Sequence, residues 1–232
     1  MSIFKKILKL QISAIYPQKC ICCSELIDEN NFLCKKCVES IERNNMNDIC
    51  LLCGFEKDEC VCKYNVYHFN SLLCVFKNCG LAQNAYYNYK FYKKQHYAKF
   101  FAAEMCEAIK KHFSEIKFDF ICSVPSFVKN GYDHSGYLAE ITAKNLNLTY
   151  KKNILSCLKK VKKQHKSSIK ERLLNTEGKY KCNYRIDNKN VLLIDDIKTT
   201  GATLDECAKE LLFAGANSVY CITALGSSTS KK

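Results

Sequence analysis

The chain has 232 residues, 47% of them hydrophobic, enough for one substantial core with room left for a small module. Its net charge of +13 points to a polyanionic partner, although only Arg43, Arg172 and Arg185 of the 36 basic residues are arginine and lysine is spread along the whole chain, so a general lysine-rich composition explains the charge equally well. No stretch is long and apolar enough to span a bilayer, and Lys5, Lys6, Lys9 and Gln11 break up the opening segment before a signal-peptide core can form; the expectation is a reducing, cytoplasmic setting and not a secreted disulfide scaffold.

The first predicted element covers residues 1–17, "MSIFKKILKLQISAIYP". Ile3, Phe4, Ile7, Leu8, Ile12 and Ile15 recur at helical spacing, with the lysines elsewhere, giving a basic amphipathic helix that ends at Pro17. Such a helix can lie on an anionic membrane at its inner face, or pack its apolar side on its own protein.

Residues 18–66 hold nine of the 17 cysteines. Cys20 and Cys23 form one CxxC and Cys34 and Cys37 a second; Cys50 and Cys53 form a third, followed by Cys60 and Cys62 as CxC. Each close pair brings two thiolates from one tight turn to one ion, and two pairs complete the tetrahedron zinc prefers. The count gives two four-cysteine structural Zn2+ sites, with Cys22 as an alternative ligand; an iron–sulfur cluster or a redox dithiol is the other use of such pairs. Glycine, which eases such knuckles, follows a pair only at Gly54, and a module this small is expected to take most of its folding free energy from the metal.

Residues 67–226 alternate strand-like and helix-like segments. "SLLCVF" from Ser71 is a strand candidate, residues 97–113 have helical periodicity, and "FDFICSVP" from Phe118 is a strand that stops at Pro125. A helix over 134–145, the strand "VLLI" from Val191, a helix over 203–213 and the strand "SVYCITAL" from Ser218 complete the series, before a short disordered tail at 227–232. Strands separated by helices predict an α/β fold with a parallel sheet covered on both faces, and an uninterrupted apolar run suits a central strand.

"VLLIDDIKTTGATL" carries the chemistry. In such a sheet ligands sit beyond the carboxyl ends of strands, where Asp195 and Asp196 fall. Thr199, Thr200, Gly201, Ala202 and Thr203 then form a small-residue loop running into a helix, whose free N–H groups and hydroxyls cradle a phosphate. Acids beside a phosphate cradle suit a sugar phosphate: the carboxylates accept hydrogen bonds from vicinal ribose hydroxyls while the loop holds the 5-phosphate. Thr203 with Glu206 also fits a capping box, an ordinary helix start.

The string resembles the signature of type I phosphoribosyltransferases, which bind phosphoribosyl pyrophosphate (PRPP). That resemblance assigns Asp195 and Asp196 to the ribose hydroxyls, residues 199–203 to the 5-phosphate, and Mg2+ to the pyrophosphate and sugar oxygens. It also implies the fold class: a type I phosphoribosyltransferase-like parallel sheet flanked by helices, here preceded by a zinc-binding module. A narrower resemblance covers almost the whole chain. The cysteine-rich head, "YKFYKK", "FDFICSVPS", "NGYDHSGYLAE" and "KKQHKSSIKERLLNTEG", in that order before the PRPP loop, are similar to the ComF family of competence proteins, in particular its ComFC members. Asn130 stands where that pattern usually has arginine. The resemblance implies a cytoplasmic factor in natural transformation that handles incoming single-stranded DNA, with a competence helicase or other DNA-processing proteins as partners.

Ser123, Val124, Pro125 and Ser126 follow a strand end where a phosphoribosyltransferase places its pyrophosphate loop; a plain proline turn is the alternative. The run 159–172 holds Lys160, Lys162, Lys163 and Arg172 with further lysines and a single acid, Glu171. It suits a mobile loop closing over pyrophosphate, a grip on a nucleic-acid backbone, or a solvated charged loop. From Ala85, "AYYNYKFYKKQHYAKFF" interleaves aromatics with lysines, as a single-strand stacking platform or as a packed helix would. His134 and His165 are the histidines nearest the expected site, as bases or as surface polar groups.

Overall fold

The computed structural model describes residues 17–29, 31–60, 62, 66–92, 95–126, 132–158 and 178–227. Most of the expected N-terminal helix, Asn130, Lys160, Lys162, Lys163, His165, Arg172 and the tail after Ser227 lie outside them.

Four parallel strands, β1 (Ser71–Lys77), β2 (Phe120–Ser123), β5 (Asn190–Lys198) and β6 (Ser218–Gly226), form one sheet in the order β1-β6-β5-β2. The centre of β1 and the first two thirds of β5 are buried on both faces, which is why their sequences read as unbroken apolar runs. On one face Leu73, Ile121, Leu192, Ile194 and Ile222 pack against α3 (Gln95–His112) and α4 (His134–Leu146). On the other, Leu72, Cys122, Leu193 and Cys221 pack against Leu204, Cys207, Ala208 and Leu211 of α5 (Ala202–Phe213). Each such aliphatic side chain contributes about 1.5–3 kcal/mol on burial. The covered parallel α/β sheet thus matches the sequence expectation.

Four elements depart from it. β5 runs four residues past "VLLI", to Lys198, because β6 keeps pairing with it as far as Lys198 with Gly226. The 97–113 helix has a companion, α2 (Gly80–Tyr92), whose aromatics obscure its periodicity. A short antiparallel pair, β3 (Leu155–Cys157) with β4 (Tyr180–Cys182), flanks residues 159–177.

The cysteine-rich segment is held by turns, isolated bridges and the six-residue helix α1 (Lys35–Ser40), and it packs against the sheet. Ile21, Leu33, Ile41 and Ile49 belong to the same core cluster as Phe76 and Phe101. Hydrogen bonds from Asn44 N to Val75 O, Lys77 N to Glu42 O and Leu72 N to Leu51 O stitch it to β1. Apolar burial is therefore a source of its stability, a contribution the sequence alone did not suggest.

Candidate functional site

Asp195 and Asp196 lie on β5 just beyond the last residue paired with β2, Ile194, while β6 still supports the strand. Both carboxylates are buried. Asp195 Oδ1 accepts from Ser135 Oγ at 2.7 Å and from the Asp196 N–H at 2.9 Å. Asp196 Oδ2 accepts from Tyr86 OH at 2.8 Å and from Lys90 Nζ at 3.0 Å, and Lys90 also donates to Tyr86 OH at 2.6 Å. Among the described residues no donor reaches Asp195 Oδ2 or Asp196 Oδ1. Each acid is thus fixed by one oxygen and keeps the other. Burial, and then the charge of Asp196, push the Asp195 carboxyl up to about 8.

Ser135, Tyr86 and Lys90 were missed as site residues in the sequence. Tyr86 and Lys90 lie inside the aromatic–lysine run, one helical turn apart on α2, and that spacing was their only signal. Ser135 follows the first residue of α4, whose N-cap Asp133 accepts from Gly136 N–H and from Ser126 Oγ at 3.4 Å. His134, next to them, is framed edge-on by Tyr89 and Tyr132, and among the described residues its Nδ1 has no hydrogen-bond partner. Burial holds its pKa below the usual histidine value, partly countered by Asp196.

The loop after β5 begins with an exposed Thr199 and turns at Gly201, whose φ of +87° requires glycine. Gly201 is the N-cap of α5, which no side chain caps among the described residues; Thr200 Oγ1 accepts from Ala202 N at 3.3 Å. The expected capping box does not form. The helix starts one residue early, at Ala202, and Glu206 turns away to accept from Gly178 N at 2.8 Å. This leaves the start of α5 open to an anion. The turn containing Ser123, Val124, Pro125 and Ser126 continues the pairing of β2, with Val124 N–H donating to Ile194 O beside the acids. Ser123 Oγ lies 3.0 Å from Tyr150 OH, and Ser126 is exposed.

The cysteines converge as two sets, Cys20, Cys23, Cys34, Cys37 and Cys50, Cys53, Cys60, Cys62, each with all four sulfurs within 4.8 Å of one another. Sulfur separations of 3.7 Å for Cys23–Cys34 and 3.5 Å for Cys50–Cys62 approach the ~3.8 Å edge of a zinc–thiolate tetrahedron. The two leading knuckles share one backbone design: Cys20 N bonds Glu25 O and Ser24 N bonds Cys20 O, while Cys50 N bonds Phe55 O and Gly54 N bonds Cys50 O. Ser24, at φ +66°, takes the left-handed position that Gly54 fills at φ +75°, which explains how the first site does without glycine. Burial opposes the Cys20 and Cys50 thiolates, but backbone N–H groups, of Cys23, Cys34 and Cys22 around the first and of Cys53 and Leu52 around the second, outweigh it and bring both down to about 7. Cys22 is not part of either set; burial and the nearby Cys20 and Cys23 push it up to about 12, and its Sγ faces Leu81 O. Both sets could therefore hold zinc.

Residues 133–232 match the family model described as "Phosphoribosyl transferase domain". No curated protein matches the chain. Among solved structures the chain is similar to adenine phosphoribosyltransferase from Saccharomyces cerevisiae, at 17% identity over 58% of this chain and 71% of that one, with a TM-score of 0.40. It is similar to purine phosphoribosyltransferase from Pyrococcus horikoshii at 14% identity over 57% and 91% of the two chains, TM-score 0.36. A hypoxanthine phosphoribosyltransferase from Staphylococcus aureus matches at 16% identity over 60% and 70%, TM-score 0.38. The protein thus carries a phosphoribosyltransferase-type domain behind a cysteine-rich, metal-competent segment.

Proposed function

We propose that the protein binds PRPP, or a related phosphoribosyl compound with Mg2+, at the carboxyl end of β5, and that it acts as a ComF-type factor handling incoming single-stranded DNA in the cytoplasm. The observation that carries the ligand is the pair of half-engaged carboxylates beside an uncapped helix start. Asp195 Oδ2 and Asp196 Oδ1 are left over for two vicinal hydroxyls, and the loop of Thr199, Thr200, Gly201, Ala202 and Thr203 leads into the helix start for the 5-phosphate, which would take over the Ala202 N–H now donated to Thr200 Oγ1. Mg2+ belongs with the pyrophosphate, which the turn of Ser123, Val124, Pro125 and Ser126 adjoins.

The DNA role rests on the ComF resemblance and on one surface. Tyr87 and Phe91 stack on each other at 5.5 Å on α2, both exposed, on the helix that also carries Lys90. An exposed aromatic pair on a protein of net charge +13 suits stacking of unpaired bases. A second reading, an active phosphoribosyltransferase with an unidentified acceptor, is favoured by the turn beside the acids, where a leaving pyrophosphate would sit. A nucleophilic acceptor nitrogen would then bond to the anomeric carbon as the carbon–oxygen bond to pyrophosphate breaks, with Asp195 and Asp196 fixing the sugar.

Calorimetric titration with PRPP and Mg2+, beside a single-stranded oligonucleotide, tests both roles. PRPP is expected to bind, with affinity reduced about 10- to 100-fold in Asp195→Asn or Asp196→Asn when titrated above about pH 8, where the Asp195 carboxyl is ionised and a hydrogen bond to a charged group is lost. The oligonucleotide is expected to bind those variants unchanged and Tyr87→Ala/Phe91→Ala more weakly. Absence of PRPP binding to the wild type sinks the ligand assignment. Pyrophosphate release on adding a base or amine moves the protein to the second reading.

A further inference from the structure

Lys198 ends β5 and precedes the phosphate loop, yet its side chain is almost fully buried. Its ammonium sits 4.2 Å from the centre of the Phe55 ring, and among the described residues no carboxylate pairs with it. Burial works against its charge and holds its pKa below the usual lysine value, while the sulfurs of Cys74, Cys53, Cys62 and Cys60 act in the opposite sense. Cys74 is held as a thiol by burial and accepts from Thr223 Oγ1, so it brings no charge. The other three belong to the second cysteine set. Four thiols are neutral, whereas four thiolates around one divalent ion carry two negative charges. A buried cation without a counter-charge is costly, and the metal-loaded set is the counter-charge within reach.

The same residues touch the loop. Lys198 Cε comes within 3.7 Å, and Tyr67 Cε1 within 3.8 Å, of where a Cβ on Gly201 would stand. Tyr67 packs on the cluster of Cys53, Phe55 and Cys62. Phe55 reaches within 3.0 Å of the Cβ position of Gly226, the residue paired with Lys198. We infer that Lys198 balances the charge of a metal-bound tetrathiolate at Cys50, Cys53, Cys60 and Cys62, and that together with Phe55 and Tyr67 it sets the position of the phosphate loop according to whether that centre is loaded. Lys198 is thereby a positioning residue. The metal half of the inference stands alone, and its consequence for ligand rests on reading residues 199–203 as the phosphate cradle.

The test uses the zinc-loaded full chain. Native mass spectrometry counts zinc per chain, a colorimetric chelator titration measures its release, and hydrogen exchange follows the amides of residues 199–203 with those of α3 as the control. Two ions are expected in the wild type. Lys198→Met should release one of them at roughly 10- to 100-fold lower chelator, as loss of a group supporting the ligands does, while Lys198→Arg retains it. Loop amides should exchange faster in Lys198→Met and in Cys60→Ser, with those of α3 unchanged. Wild-type zinc retention in Lys198→Met overturns the charge role, and loop exchange indifferent to Cys60→Ser overturns the coupling. Titration of the same samples with PRPP keeps the failures apart: a wild type that binds no PRPP removes the phosphoribosyl reading, while zinc release and exchange still decide the role of Lys198.

Discussion

Asp195 is lifted to about 8 by burial and by its neighbour Asp196, against an ordinary value of 3.8. Between those two values the folded chain holds a proton that the unfolded chain releases, so this group's contribution makes folding less favourable as pH rises through the window, and the cost is complete above about 8. Urea unfolding of wild type and Asp195→Asn from pH 5 to 9 should show the wild type losing stability relative to the variant as pH rises; parallel profiles would contradict the burial of a shared charge at this site. The pair of acids was plain in the sequence because two charges interrupt an apolar run. What grips them was not: Ser135 lies 60 residues from Asp195, and Tyr86 and Lys90 lie 110 and 106 residues from Asp196, distances that no local pattern spans.

Among the elements, β5 and α5 show where local pattern succeeds and where pairing overrides it. "VLLI" marks a buried strand, but hydrophobicity ends at the acids while backbone pairing with β6 continues through Ile197 and Lys198. The start of α5 is decided by Gly201 in the left-handed region, whereas the sequence equally allowed a cap at Thr203. A Cβ at Gly201 meets only ordinary contacts, so Gly201→Ala should be costly through backbone strain alone, about 1–2 kcal/mol in denaturant unfolding. Gly201→Asn should recover part of that, because Asn tolerates the left-handed region. If the loop is a phosphate cradle, Gly201→Ala also weakens PRPP binding in the titration described above; an unaltered affinity would mean that the loop geometry does not serve the ligand. β3 and β4, three residues each, were illegible because so short a pair has no periodicity of its own.

At the scale of the whole molecule, the spacing of the cysteines announced two four-sulfur sets able to hold a metal, but nothing in it announced that the cysteine-rich segment and the sheet share one core. The union depends on long-range contacts: Arg43, one of only three arginines, forms a two-pronged pair with Glu104 of α3 at 3.1 and 2.9 Å and lies over the Phe76 ring, while Asn44 Nδ2 donates to Cys74 O of β1. Lysine cannot reproduce the fork, though both partners are about a third exposed, so Arg43→Lys should lower stability by no more than about 1 kcal/mol. The cysteine centre has more leverage. Cys37 is buried in the same cluster as Phe76 and Phe101, so an ion held there would also brace side chains that pack α3 on the sheet. Cys37→Ser should hold one zinc in place of two, and its thermal unfolding by far-UV circular dichroism should remain a single transition at a lower midpoint. Separation into two transitions, with the later one at the wild-type temperature, would show that the sheet stands without the cysteine segment and that the shared core contributes little to holding them together.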